Sequence, residues 1–302
     1  MIIACGRKSK VHPVSYLKNR FARIYPVYLL AILLSLFYKS FLVKEQFDIT
    51  GVILNVFAMQ SWVPSHALSI NFPGWSLSVE LLFYTVFPFV FNYFYRKYTL
   101  KQLAVPIIIV WILSQWFFLS HLNKGFHFFA HEKSNENFLF YFPLLHLNQF
   151  LIGNLAGLLF VKYGTGKQRN YDGLILLLTG CFLLSILFKP QFLNYHNGLL
   201  AIVFIPIILL MALNTGLITK IFNHKFLVYL GEISYGIYIL QVPVYMSIKY
   251  LLNTAGITGD LVTFVIGITG LLFVSALSYE FIETPLRDKI KKNKFNFFTK
   301  TQ

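Results

Sequence analysis

Residues 74–95, GWSLSVELLFYTVFPFVFNYFY, place a tryptophan (Trp75), two serines (Ser76, Ser78) and a carboxylate (Glu80) in the first turns of an otherwise apolar stretch. A carboxylate at the centre of a membrane span costs roughly 2.5–3.5 kcal/mol on insertion scales, so such groups turn toward one another or toward a wet cavity. At about 100° per residue, Ser76, Glu80 and Phe83 share one helix face, with Tyr84 on its edge. In LGEISYGIYILQVPVY, Ser234, Tyr238, Gln241 and Tyr245 stand at i, i+4, i+7 and i+11 and make a second hydrogen-bonding stripe. Ser275, Ser278, Tyr279 and Glu283 make a third. Three such stripes imply a shared hydrophilic cavity; the plainer alternative is interhelical hydrogen bonding without chemistry.

In VSYLKNRFARIYPVYLLAILL, residues 14–34, Arg20 and Arg23 are three apart and so neighbours on a helix. Two guanidiniums so placed suit bidentate contacts to phosphate, from a nucleotide-bearing donor or from lipid headgroups. The alternative is anchoring of the inner end of a span, with Tyr25 and Tyr28 in an aromatic belt and Pro26 inside the helix start.

The elements that must carry these residues follow from composition. The chain of 302 residues is 57% hydrophobic and 12% charged, with a mean hydropathy of +0.64, far from the roughly 25% charged of a soluble domain. It is therefore expected to be an all-α, polytopic transmembrane bundle. Apolar runs near 25–43, 74–95, 103–120, 139–162, 172–188, 198–214, 228–251 and 260–282 are long enough for eight spans. No soluble domain can be carved from 1–302. The shorter run from Val52 to Val63 carries Asn55 and Gln60 and meets Pro64, so it reads as a partial or re-entrant helix.

A net charge of +15 would suggest nucleic acid in a soluble chain. Here most of the 26 basic residues fall in 7–23, 96–101, 162–169, 220–225 and 287–300, every second segment between spans. That distribution puts both termini in the cytoplasm, reduces the charge to topology and leaves no nucleic-acid partner. Only Lys39, Lys44, Lys124, Lys133, Lys189 and Lys249 lie at or beyond the outer ends.

Cys5 and Cys181 are far apart and indicate neither a disulfide framework nor a metal cluster. MIIAC lacks the basic region and apolar core of a signal peptide. Gly153 and Gly157 form a small-xxx-small pair suited to close helix packing. Of eight histidines only His146 lies well inside a span; beside Asn148 and Gln149 it reads as a satisfied packing residue.

Four blocks occur in order: RFARIYPVYLL (Arg20–Leu30), PGWSLSVELLFY (Pro73–Tyr84), LGEISYGIYILQVPV (Leu230–Val244) and YEFIETPLR (Tyr279–Arg287). The set resembles the acyltransferase-3 family of bacterial membrane O-acyltransferases over essentially the whole chain. The resemblance implies transfer of an acyl group, usually acetyl, from cytoplasmic acyl-CoA to a hydroxyl of a cell-surface glycan or glycolipid, in the inner membrane and without a metal. On it Ser76, Glu80 and Tyr238 are the catalytic candidates, with Glu80 orienting or deprotonating a neighbour. Arg20 and Arg23 hold the donor's phosphates, and Trp75, Tyr84, Ser234, Gln241 and Glu283 line the cavity. Gln241 stands where many relatives have His, and an amide can only donate and accept hydrogen bonds.

The family resembles a ten-span bundle whose first span bears an Arg and the His that acts as base. Against it this chain is expected to lack the first span and most of the second, MIIACG being the last turn of span two, and so to lack that His; it reads either as an acyltransferase in its own right or as an inactive piece of one. Two other readings stand beside this one. A transporter or flippase of a polar glycolipid needs the wet cavity and no coenzyme site; an interaction subunit leaves the stripes without a purpose.

Overall fold

A computed structural model describes residues 10–125, 127–164, 166–188 and 196–292. Cys5 and the opening MIIACG lie outside them. The described chain is helical, with no strand and one isolated bridge between Arg169 and Asn214. Six stretches are long and apolar enough to cross a membrane: Pro13–Val43, Phe72–Tyr95, Leu100–Leu122, Glu132–Gly164, Lys225–Thr254 and Asp260–Lys292. Two shorter apolar helices, Asp172–Phe188 and Ala201–Leu213, fall on the remaining two apolar runs. Leu187, Phe188, Leu261 and Phe281 are each at least 73% exposed, a display that a lipid-facing surface tolerates and water does not. This is an integral membrane protein of the all-α class.

The chain divides into two compact units. The one that carries the polar stripes comprises residues 12–84 and 229–292. Its first helix, α1 (Pro13–Phe37), opens on a proline whose missing N–H costs nothing there. It starts well ahead of residue 25 because the charged stretch around Lys18, Arg20 and Arg23 continues the helix beyond the apolar part. Helix α2 (Ile49–Val56) is capped by Asp48, whose carboxylate accepts from the N–H groups of Thr50 and Gly51 at 3.1 and 3.2 Å. It stops where Ala58 takes a left-handed φ of 52° and Met59 N–H closes on the Leu54 carbonyl.

From there the chain runs in short 3₁₀ turns, Gln60–Trp62, Pro64–His66 and Phe72–Gly74, into α3 (Trp75–Val90). The run at 52–63 is thus a partial helix that turns back on itself. The unit is completed by α10 (Lys225–Thr254), of which residues from 229 onward belong here, α11 (Asp260–Ser278) and α12 (Thr284–Lys292). Val27, Tyr28, Ile32, Leu77, Ile239 and Leu271 share the buried core. Helices α10 and α11 approach closely through glycines, since a Cβ on Gly267 would strike the Tyr245 ring and one on Gly270 the Ile248 side chain. Helix α12 folds back on α1, where Lys18 Nζ donates to the Lys291 carbonyl at 3.2 Å.

The other unit holds the described residues of 85–228 with Lys10 and Val11. Its helices are the end of α3, then α4 (Leu100–Lys124), α5 (Glu132–Tyr141), α6 (Leu147–Leu159), α7 (Asp172–Phe188), α8 (Ala201–Leu213) and α9 (Leu217–Phe222). Thr99 and Gln102 form a capping box at the start of α4. The apolar run at 139–162 is interrupted, because Phe142 precedes Pro143 and is held extended (φ −68°, ψ 125°), which ends α5 before α6 begins. Gly153 on α6 is exposed and a Cβ there would meet nothing within 4 Å, so close packing at that residue is absent among the described residues, although Gly157 is buried. Cys181 is a free, exposed thiol.

Candidate functional site

The polar residues of the first unit gather where α1, α3 and α10 face one another. A buried plug of side chains between α2 and α3 sets the position of the α3 N-terminus. Tyr28 on α1 donates to the Asn55 carbonyl at 2.7 Å, and Gln60 Nε2 donates to the Gly74 carbonyl at 2.6 Å. Ser61 Oγ donates to the Trp75 carbonyl at 3.1 Å, and Asn71 Nδ2 to the Ile239 carbonyl of α10 at 2.9 Å. Gly74 is required at the centre, since a Cβ there would stand 3.2 Å from Gln60 Nε2 and 3.4 Å from the Tyr28 ring. One amide oxygen each of Asn55, Gln60 and Asn71 finds no partner among the described residues.

Onto this platform α3 projects its polar face. Ser76 Oγ donates to the Pro73 carbonyl at 3.0 Å and accepts from the Tyr238 hydroxyl at 3.0 Å, joining the first two stripes. One turn along, the Tyr84 hydroxyl donates to Glu80 Oε2 at 2.7 Å. The guanidinium carbon of Arg20 lies 5.2 Å from the Tyr16 ring centre and 5.6 Å from that of Tyr84, both within cation–π range. Those two rings meet edge to face at 6.4 Å. Arg20 and Arg23 both act electrostatically on Glu80, and Arg23 acts also on Glu283.

Tyr235, nearly one turn before Tyr238, is half-buried against the core around Tyr28, and its hydroxyl donates to the Ile24 carbonyl at 3.0 Å. Glu283 is 2% exposed, with Arg287 3.9 Å away. The Arg287 side chain also meets the Tyr279 ring and Asp288.

The sequence-derived candidates separate accordingly. Ser76, Glu80, Tyr84, Arg20 and Tyr238 come together, with Trp75 half-buried beside them. Ser234 does not join: it is exposed and its hydroxyl donates to the Gly231 carbonyl of its own helix at 2.7 Å. Gln241 is half-buried one turn beyond Tyr238. Ser275 and Ser278 are buried where α11 meets α10, Ser275 against Gly236, with hydroxyls unpartnered among the described residues. Arg23, unlike Arg20, is exposed. Tyr16, Tyr235 and the plug were not singled out from sequence as site residues. Tyr16 stands i−4 from Arg20, a spacing that could have found it.

The histidines of the second unit serve packing. His146 Nε2 donates to the Phe140 carbonyl at 3.0 Å, and Nδ1 lies 3.0 Å from the Gln149 amide, which satisfies a neutral ring on both sides. His196, between α7 and α8, reaches the same carbonyl at 2.8 Å. Burial pushes its pKa below the usual histidine range, with the Phe140 carbonyl pulling weakly the other way.

A family model described as an acyltransferase domain matches residues 5–280. The chain is 25% identical over 229 residues to the O-acetyltransferase OatA of Staphylococcus aureus (strain NCTC 8325 / PS 47), a match covering 71% of this chain and 36% of OatA. It is 25% identical over 275 residues to the acyltransferase MdmB of Streptomyces mycarofaciens, covering 82% of this chain and 65% of MdmB. The chain thus spans about a third of the length of the OatA relatives it matches. No solved structure is a significant match. With a family model running over nearly its whole length, on a membrane-embedded helical fold, the chain belongs to the acyltransferase-3 family.

Proposed function

We propose that the protein is a membrane-bound O-acyltransferase that moves an acyl group, acetyl in the first instance, from acyl-CoA to a hydroxyl of a cell-surface glycan or glycolipid. The observation that carries this reading is the meeting of Ser76 with Tyr238 and of Tyr84 with Glu80 and Arg20, in a chain of this family. In the transfer the acceptor oxygen forms a bond to the thioester carbon while the carbon–sulfur bond breaks. The acceptor's proton must leave and the departing thiolate must gain one. Glu80, with one oxygen held by Tyr84, is the oriented carboxylate available to accept or steer a proton. Ser76 and Tyr238 offer hydroxyls that can hydrogen-bond a reacting oxygen. The basic inner end of α1 supplies cations for the donor's phosphates, in keeping with donor entry from the cytoplasmic side of the inner membrane.

The test is transfer of radiolabel from acetyl-CoA to glycan in membranes containing this protein. Label in the glycan, lost in Glu80→Gln, is the expected result. Glycan that crosses the membrane without acquiring label would instead establish a flippase.

A further inference from the structure

We propose that Arg20 and Arg23 have separate roles: Arg23 meets the donor's phosphates, and Arg20 is a positioning residue that fixes Glu80 through Tyr84. This rests on the acyl-CoA reading above and assigns its parts. The two arginines are one helical turn apart, but their surroundings differ. Arg20 is half-buried, its guanidinium near two aromatic rings, Tyr16 at 5.2 Å and Tyr84 at 5.6 Å. The second ring belongs to the same tyrosine whose hydroxyl donates to Glu80 Oε2 at 2.7 Å. Arg20, Tyr84 and Glu80 therefore form one connected group: the cation holds the ring, and the ring's hydroxyl holds one carboxylate oxygen, leaving the other for the reaction.

Among the described residues Arg23 has no such cage. It is exposed on the same helix, at the end where Lys18 and α12 bring further basic residues. Two carboxylates, Glu80 and Glu283, lie within its electrostatic reach, and Arg287 shares the charge of Glu283. An exposed guanidinium whose neighbouring carboxylate already has a second cation is the one free to turn to an incoming polyanion. Tyr84 likewise gains a defined task, since a phenylalanine there keeps the ring for Arg20 and loses only the bond to Glu80.

The experiment compares Arg20→Ala, Arg20→Lys, Tyr84→Phe and Arg23→Ala in the full chain, in detergent and in membranes. Coenzyme A affinity is one readout; transfer from acetyl-CoA and from S-acetylpantetheine, which has no phosphate, is the other. Arg23→Ala should weaken coenzyme A binding and raise the acetyl-CoA KM about tenfold or more, with kcat little changed, and should match wild type on acetylpantetheine. Arg20→Ala and Tyr84→Phe should lower kcat about tenfold or more with both donors while binding coenzyme A normally, and Arg20→Lys should recover part of the loss. If Arg20→Ala loses coenzyme A affinity as Arg23→Ala does, and both defects vanish with acetylpantetheine, the division of roles is wrong although the enzyme reading stands. Wild-type kcat in Tyr84→Phe, or a wild-type chain that binds coenzyme A and transfers nothing, overturns the positioning half. A wild-type chain that neither binds coenzyme A nor transfers overturns the enzyme reading itself.

Discussion

Tyr84 and Glu80, one helical turn apart on α3, are joined by a 2.7 Å hydrogen bond in which the phenol donates and the carboxylate accepts. The bond sets one carboxylate rotamer in a site otherwise lined by aromatic rings and hydroxyls, and that orientation is what a proton-handling group requires.

Glu80→Gln keeps the shape and can still accept from Tyr84, but it cannot take a proton. Acyl transfer should fall about 10²–10⁴-fold, with the protein still inserted and folded. Label incorporated per folded molecule is the measurement, and a loss below about threefold would remove Glu80 from proton handling.

Gly74→Ala should destabilise the protein by about 1–3 kcal/mol, because the new methyl presses on Gln60 Nε2 and the Tyr28 ring. Thermal unfolding in detergent reads this out. Pairing it with Gln60→Ala removes the obstruction at the cost of an unpaired Gly74 carbonyl, so the two changes should combine non-additively; strict additivity would show that Gly74 is not pressed against Gln60.

How much of this was legible in the sequence depends on the type of residue. The apolar runs announced the helices, and the Phe142–Pro143 pair marks where one of them must break. Ser76, Glu80 and Tyr238 stood out because polar groups within an apolar run are costly enough to need a purpose. Tyr16 and Tyr235 did not, because a tyrosine at the end of a span serves equally as interfacial anchor or as partner. Tyr235 meets Ile24 across 211 residues, a contact that no local periodicity reports. Ser234 misled for the opposite reason. Its helical spacing was right, but a serine can satisfy itself on its own helix's carbonyl.

His146 should prove structural. Replacing it with leucine leaves the Gln149 amide and the Phe140 carbonyl short of a partner and should cost about 1–3 kcal/mol of stability, while kcat per folded molecule stays at the wild-type value. A kcat collapse without loss of stability would make it a proton carrier instead.

His196 carries a pH signature. Its folded pKa is depressed by burial, so the unfolded chain binds the proton more readily; the contribution is present above the ordinary value of about 6.5 and is lost as pH falls below it. Its neighbours are the His146 ring at 5.6 Å, the Phe118 ring and the Phe140 carbonyl. The melting temperature should drop between about pH 7.5 and about pH 5.5, less so in His196→Gln. An unchanged slope in that variant would assign the acid sensitivity elsewhere.

Reporter fusions after Asn214 and after residue 294 should both read cytoplasmic, as the loop charges require. An external reading at either site would reverse the orientation assigned to the donor face.

The bond from Asn71 to the Ile239 carbonyl spans 168 residues, and that separation is also an interval of time. At about 5–20 residues per second, the ribosome needs roughly ten to thirty seconds to travel from one partner to the other. Until α10 emerges, the turn region between α2 and α3 is in the membrane without its Asn71 and Ser76 partners. The polar face built by α1, α3 and α10 is therefore completed only once α10 has been made, well after α1 and α3. A chain stalled before residue 239 would present the insertion and quality-control machinery with an amide and hydroxyls in lipid, a mark by which unfinished protein can be told from finished.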